Sequence, residues 1–89
     1  VVDHIVHILA IYDGKSEDLI EIIELPHFSP EKMIAHYEID TAADPDIHNR
    51  YSVGPDDISI VNQAAGREIS FDFTANGYFI EAVRDDREG

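Results

Sequence analysis

The tightest constraint on this chain lies near its end. Ile69, Phe71 and Phe73 alternate with Glu68, Ser70, Asp72 and Thr74, and Asn76-Gly77 separates that run from the apolar-rich residues 78–84. A period of two marks a strand with one buried face. Asn-Gly suits a two-residue type I′ turn, because both turn positions take positive φ. The pattern predicts a β-hairpin whose register follows by counting from the turn. Phe73 is then opposite Ile80 and Phe71 opposite Ala82 on the core face. On the other face Thr74 is opposite Phe79 and Asp72 opposite Glu81.

Upstream, residues 4–13 hold Ile5, Val6, Ile8, Leu9, Ile11 and Tyr12 in a run rich in β-branched side chains, closed by the turn signal Asp13-Gly14. They are read as a first strand. Residues 17–25 interleave acids with Leu19, Ile20, Ile22 and Ile23 before Pro26, as a returning antiparallel strand would. Leu19, Ile22, Ile23 and Pro26 also fit helical spacing, so a helix is the competing reading of this segment. Ser29-Pro30-Glu31-Lys32 opens a helix with a capping Ser, Pro at the first helical position and an acid where the helix dipole favours it. Met33, Ile34 and Tyr37 supply its apolar stripe. Residues 41–49, around Asp44-Pro45-Asp46, read as an exposed loop and residues 50–53 as a short strand. Ile58, Val61 and Ala65, closed by Gly66, spell a second short helix over residues 55–65.

An 89-residue chain supports a single core, so residues 1–89 are read as one domain, and 44% hydrophobic residues argue against disorder throughout. Six Lys and Arg stand against 19 Asp and Glu, a net charge of −13. A phosphate backbone or an anionic membrane surface would repel such a chain, which excludes direct nucleic-acid and membrane partners. The absence of Cys removes disulfides, thiol nucleophiles and thiolate metal sites. The longest apolar stretch, residues 8–12, is far too short to span a bilayer, and no basic segment with an apolar signal core opens the sequence. A cytoplasmic location is the default expectation, although Val1 in place of Met makes the first position no guide to targeting.

Two carboxylates directly across a sheet, as predicted for Asp72 and Glu81, repel one another at a cost of about 0.2–1 kcal/mol. A solvated acidic face is the plain reading. With Phe79 beside them, the pair also fits a docking face on which an aromatic anchors and charges steer a basic partner. Enzymatic readings lack a carrier: no spacing singles out an acid and base pair, a nucleophile motif or a phosphate cradle, so the chain is read as a non-enzyme without cofactor. His4 and His7 fall on opposite faces of a strand and cannot share a metal. Asp44, Asp46 and His48 lack the glycine and distal Glu of a calcium loop.

This arrangement resembles the cloacin and ribonuclease-type colicin immunity proteins, small acidic bacterial inhibitors built on an antiparallel sheet. The turn Tyr12-Asp13-Gly14-Lys15-Ser16-Glu17-Asp18-Leu19 is similar to that family's aromatic-Asp, three-residue spacer, Glu-Asp-aromatic turn, at the same length. Arg50-Tyr51-Ser52-Val53 looks like its Cys-Phe-Asp-Val stretch. Phe71-Asp72-Phe73-Thr74, Asn76 and Tyr78-Phe79-Ile80 are similar to its Ile-Asp-Ile-Ser, Asn and Tyr-Phe-Val. The resemblance implies a protein that binds a cognate ribonuclease toxin through acidic and aromatic side chains of the sheet face and neighbouring loops. Tyr12, Asp13, Glu17, Asp18, Asp72 and Phe79 fall on matching motif positions, and Arg50 where the family carries a residue tied to partner specificity. Three positions depart: Leu19 replaces an aromatic, Glu81 a small polar residue and Arg50 an uncharged one. The helix at 55–65 also lacks the family's bulky aromatics, so a different toxin is implied, of colicin-like or contact-dependent delivery.

The sequence therefore predicts an α+β domain with an antiparallel sheet of four to five strands and two short helices. Its expected role is stoichiometric neutralisation of a basic nuclease domain, with Tyr12, Asp13, Glu17, Asp18, Arg50, Asp72, Phe79 and Glu81 at the interface. The alternative is a small acidic interaction module or homodimer unrelated to toxins.

Overall fold

The β-branched run and its acidic return form a hairpin, β1 (Ile5–Asp13) and β2 (Leu19–Glu24), in the computed structural model, which describes residues 5–44, 47 and 49–84. His4, Asp46 and His48, weighed above as metal ligands, lie outside the described residues. The strand reading of residues 17–25 holds. Leu9 pairs with Ile23 and Ile11 with Glu21, and a bulge then leaves Ile20 as the extra residue before Leu19 meets Tyr12. Helix α1 (Pro30–Tyr37) starts as its sequence dictates, with the Ser29 hydroxyl accepting the Lys32 N–H at 3.3 Å. It is followed by β3 (Tyr51–Ser52), a 3₁₀ turn (Pro55–Asp57), α2 (Ile58–Ala65) and β4 (Asn76–Arg84). Gly66 ends α2 in the left-handed region at φ 75°, its N–H bonded to the Asn62 and Gln63 carbonyls.

The four strands make one antiparallel sheet in the order β2-β1-β4-β3. One face carries Leu9, Ile11, Ile23, Tyr78 and Ile80, which bury against Met33 of α1, Val61 and Ala64 of α2, and Ile47 and Val53. This is the core, in an α+β arrangement with both helices on one side. On the opposite face, Ile8 and Ala10 of β1 are buried beneath their neighbours, while Tyr12 of β1, Ile22 of β2, and Phe79, Glu81 and Val83 of β4 lie about them, as the alternation requires. That face carries neither helix.

The C-terminal hairpin read from the sequence does not form. Residues 68–72 are not strand, the chain turns at 73–75, and Asn76 and Gly77 are already inside β4, opposite Asp13 and Tyr12. Neither takes positive φ. The predicted pairs are replaced: Ile80 meets Leu9 and Tyr51, Ala82 meets His7, Phe79 meets Ala10 and Ser52, and Glu81 meets Ile8. The physical reason is that β4 inserts between β1 and β3, so both of its edges are occupied. Phe71 and Phe73 satisfy their apolar alternation differently. They stack on each other at 5.3 Å and set edges against Tyr78 at 4.8 and 5.2 Å.

The loop after α1 also departs from expectation. Asp44 and Ile47 are buried, not exposed. The Asp44 carboxylate accepts the Tyr51 hydroxyl at 2.8 Å and the Asn49 N–H at 3.1 Å, and the Ile47 carbonyl lies 2.9 Å from His7 Nε2. His7 itself stacks on Phe28 with ring centroids 3.9 Å apart, which makes it a packed sheet residue.

Candidate functional site

Four of the eight expected interface residues meet on the helix-free face. Tyr12 points there from the end of β1, opposite Gly77. It sits edge-on to Phe79, centroids 5.7 Å apart, and its hydroxyl donates to Glu81 Oε2 at 2.7 Å. Arg50, immediately before β3, reaches over the same patch. Its Nε donates to the same Glu81 oxygen at 3.1 Å, and its guanidinium lies 4.4 Å from the Phe79 centroid and 5.0 Å from that of Tyr12. The oxygens of Tyr12 and Glu81 both raise its pKa further. Two of the three departures from the immunity-protein pattern, Arg50 and Glu81, are therefore a matched ion pair.

The other four residues gather at one end of the sheet. Asp13 Oδ1 accepts the N–H groups of Lys15 at 2.7 Å and Ser16 at 3.0 Å, closing the β1–β2 turn. Glu17 and Asp18 follow, exposed, with Glu17 held at φ 63°. Asp72 caps the neighbouring turn through Thr74 Oγ1 at 2.7 Å and the N–H groups of Thr74 and Ala75. The Gly14 N–H donates to the Ala75 carbonyl at 2.9 Å and ties the two turns together. Backbone donors from Ser16 and Lys15 hold Asp13 below the usual carboxylate range, and the Thr74 hydroxyl with the Ala75 N–H does the same for Asp72. Asp72 thus belongs to the acidic end and is not paired with Glu81.

The helix side holds a polar cluster that sequence reasoning missed. His36 Nε2 lies 2.5 Å from Asp57 Oδ1, while Asp57 Oδ2 accepts the Gly54 N–H at 2.8 Å. Next to it the Tyr37 hydroxyl is buried without a well-formed hydrogen bond among the described residues. Burial first, and then the Asp57 charge, push its pKa above the ordinary phenol value. His36 and Asp57 are 21 residues apart, so no local spacing could have joined them. Their geometry ties α1 to the 3₁₀ turn. Among the described residues no group of three His, Asp or Glu converges as metal ligands, and no helix is long and apolar enough to cross a membrane.

What the open face offers chemically is binding: an aromatic pair, a caged cation and carboxylates, with an acidic rim at one end. Residues 6–81 match the family model described as Domain of unknown function (DUF7683). No curated protein and no solved structure matches the chain.

Proposed function

We propose that this chain, which belongs to the DUF7683 family of domains of unknown function, is an immunity protein that neutralises a basic bacterial nuclease by stoichiometric binding on its open sheet face. One observation carries the reading. Tyr12, Arg50, Phe79 and Glu81, far apart in sequence, join in one patch beside the acidic end formed by Asp13, Glu17, Asp18 and Asp72. Aromatic anchors surrounded by charge are what a protein interface uses to combine slow release with selective encounter. A net charge of −13 favours a basic partner. The proposed compartment is the cytoplasm, where a nuclease would meet its substrate.

Capture of partners from a bacterial lysate at low salt, identification of a retained nuclease and titration of its activity with this protein form the test. Silencing at one-to-one stoichiometry, lost in Phe79→Ala, supports the proposal. A retained nuclease that stays active when saturated removes it.

A further inference from the structure

We infer that the outer edge of β2 takes an extended segment of a basic partner as a fifth strand of the sheet. Among the described residues, in the order β2-β1-β4-β3, β2 is a terminal strand that pairs with β1 alone. The Leu25 N–H donates to the His7 carbonyl at 3.3 Å, so alternation along the ladder turns the backbone of Ile23 and Glu21 toward β1 and that of Ile22 toward the open edge. The side chains along this edge are unusual for one left in water. Leu19, Ile20 and Ile22 are 49%, 54% and 51% exposed, while Ile23 is buried.

Natural edges are normally blunted by charged side chains, Lys above all, or by Pro or a bulge, and the charges of β2 are acidic, which bars strands other than a basic one. Leu19–Glu24 contains neither Lys nor Pro, and its bulge lies at Ile20, beside the turn, leaving Glu21 to Glu24 in regular register. An edge so built is suited to strand addition, in which main-chain hydrogen bonds give affinity and alternate side chains give specificity.

Charge selects the occupant. Glu21 stands exposed on the helix side of the sheet, with Glu17 and Asp18 exposed just beyond the strand. A second copy is disfavoured: the self-pairing that sets the outward-facing Ile22 opposite its own copy gathers the acids of both strands along one seam, between two chains of net charge −13 each. The incoming strand instead alternates basic and apolar residues, with a basic side chain opposite Glu21 and an apolar one opposite Ile22. The inference shares with the proposed function the basic character of the partner and the acidic residues Glu17 and Asp18, but it engages the backbone edge of β2 and not the Tyr12–Phe79 patch.

The probe is an end-blocked synthetic peptide of alternating lysine and valine, in three forms: unmodified, N-methylated on the backbone edge that faces β2, and N-methylated on the other edge. Binding is followed by amide hydrogen exchange of the ¹⁵N-labelled protein. Unmodified peptide and peptide methylated on the far edge should slow exchange of the Ile22 amide by about tenfold or more, and peptide methylated on the near edge should not. Equal binding of all three forms would mean charge attraction alone and would overturn the inference. So would an unprotected Ile22 amide, or sedimentation showing a dimer that covers β2. Ile22→Pro, which removes the outward N–H on an edge where Pro is tolerated, should abolish protection of neighbouring edge amides, and the two methylated peptides decide the matter should that variant not fold. Phe79→Ala should leave peptide binding unchanged. Failure of the peptide with nuclease silencing intact would remove the edge alone, and peptide binding without any silenced nuclease would remove the immunity reading alone.

Discussion

At Glu81 a single carboxylate oxygen receives both the Tyr12 hydroxyl and the Arg50 guanidinium, and Arg50 in turn covers the Phe79 ring. Because Arg50 is half-exposed, the pair contributes little to stability, and Arg50→Ala should leave the midpoint of a urea melt almost unchanged. Its effect should fall on a basic partner instead: faster association, since a repelling charge leaves and Phe79 is uncovered. Tyr37 makes a second case. Its buried hydroxyl makes no well-formed hydrogen bond among the described residues and lies near the Asp57 charge, and removal of such a group relieves a desolvation penalty. Tyr37→Phe should leave stability unchanged or raise it by up to about 1 kcal/mol in thermal unfolding. The phenols report the same burial, since desolvation raises the pKa of both Tyr37 and Tyr51. For a group whose folded pKa is raised, the associated stability is present below the unfolded value and is lost as pH rises through the folded one. Ultraviolet titration should therefore show two of the four tyrosines ionising late, with alkaline unfolding as they do.

The elements were legible wherever local chemistry decides them. Ser29-Pro30 opens α1 and Gly66 closes α2 because caps act within a turn of chain, and the run ending at Asp13-Gly14 forms β1 because its β-branched side chains suit a pleated, half-buried strand and the turn signal ends it. The misread hairpin shows the limit. Phe71, Phe73 and Asn76-Gly77 carry a strand and turn signal, yet which edges of β4 remain available depends on β1 and β3, some 60 and 25 residues away in the chain. Of the site, the residue types were legible from Tyr12 to Glu81, whereas the Arg50–Glu81 contact was not, because it rests on that same strand order. The exposed Leu19, Ile20 and Ile22 were read only as a strand's apolar residues, since no sequence pattern tells an edge from an interior position. At the element scale the two acidic turns make a prediction. A Cβ at Gly14 would lie 2.7 Å from the Ala75 carbonyl oxygen, a backbone atom that cannot swing aside. Gly14→Ala should cost about 1–3 kcal/mol and shift the amide resonances of residues 72–76 with those of 13–18. Asp13 and Asp72 both have lowered folded pKa values, so what they contribute is present above the ordinary carboxylate range and lost as pH falls through the folded values. The amides of Lys15, Ser16, Thr74 and Ala75 should be the ones that report this loss on acidification.

At the scale of the whole molecule, one sheet separates two duties. Its helix side supplies the core, with Leu9, Val61 and Ile80 almost completely buried, and a domain of this size has a stability of only about 4–13 kcal/mol. Truncating Ile80 to Ala, at about 2–5 kcal/mol, would remove much of that, so core variants are poor tests of binding. Its other side is left to the acidic and aromatic surface, and the net charge of −13 acts on folding and association with opposite signs. Self-repulsion among the carboxylates opposes the compact state, and salt screens it, so the free protein should become more stable to urea as sodium chloride rises toward 1 M, where the Debye length falls to about 3 Å. The same screening removes the attraction that brings a basic nuclease to the open face. Stopped-flow association should slow by about tenfold or more over that range while dissociation, governed by burial of Tyr12 and Phe79, changes little. Because both effects have one origin, a charge-reducing variant at the acidic end, such as Asp18→Asn, should move them together, raising stability at low salt and slowing association. Association indifferent to salt, in a protein whose stability still rises with it, would mean that the partner docks away from the acidic end.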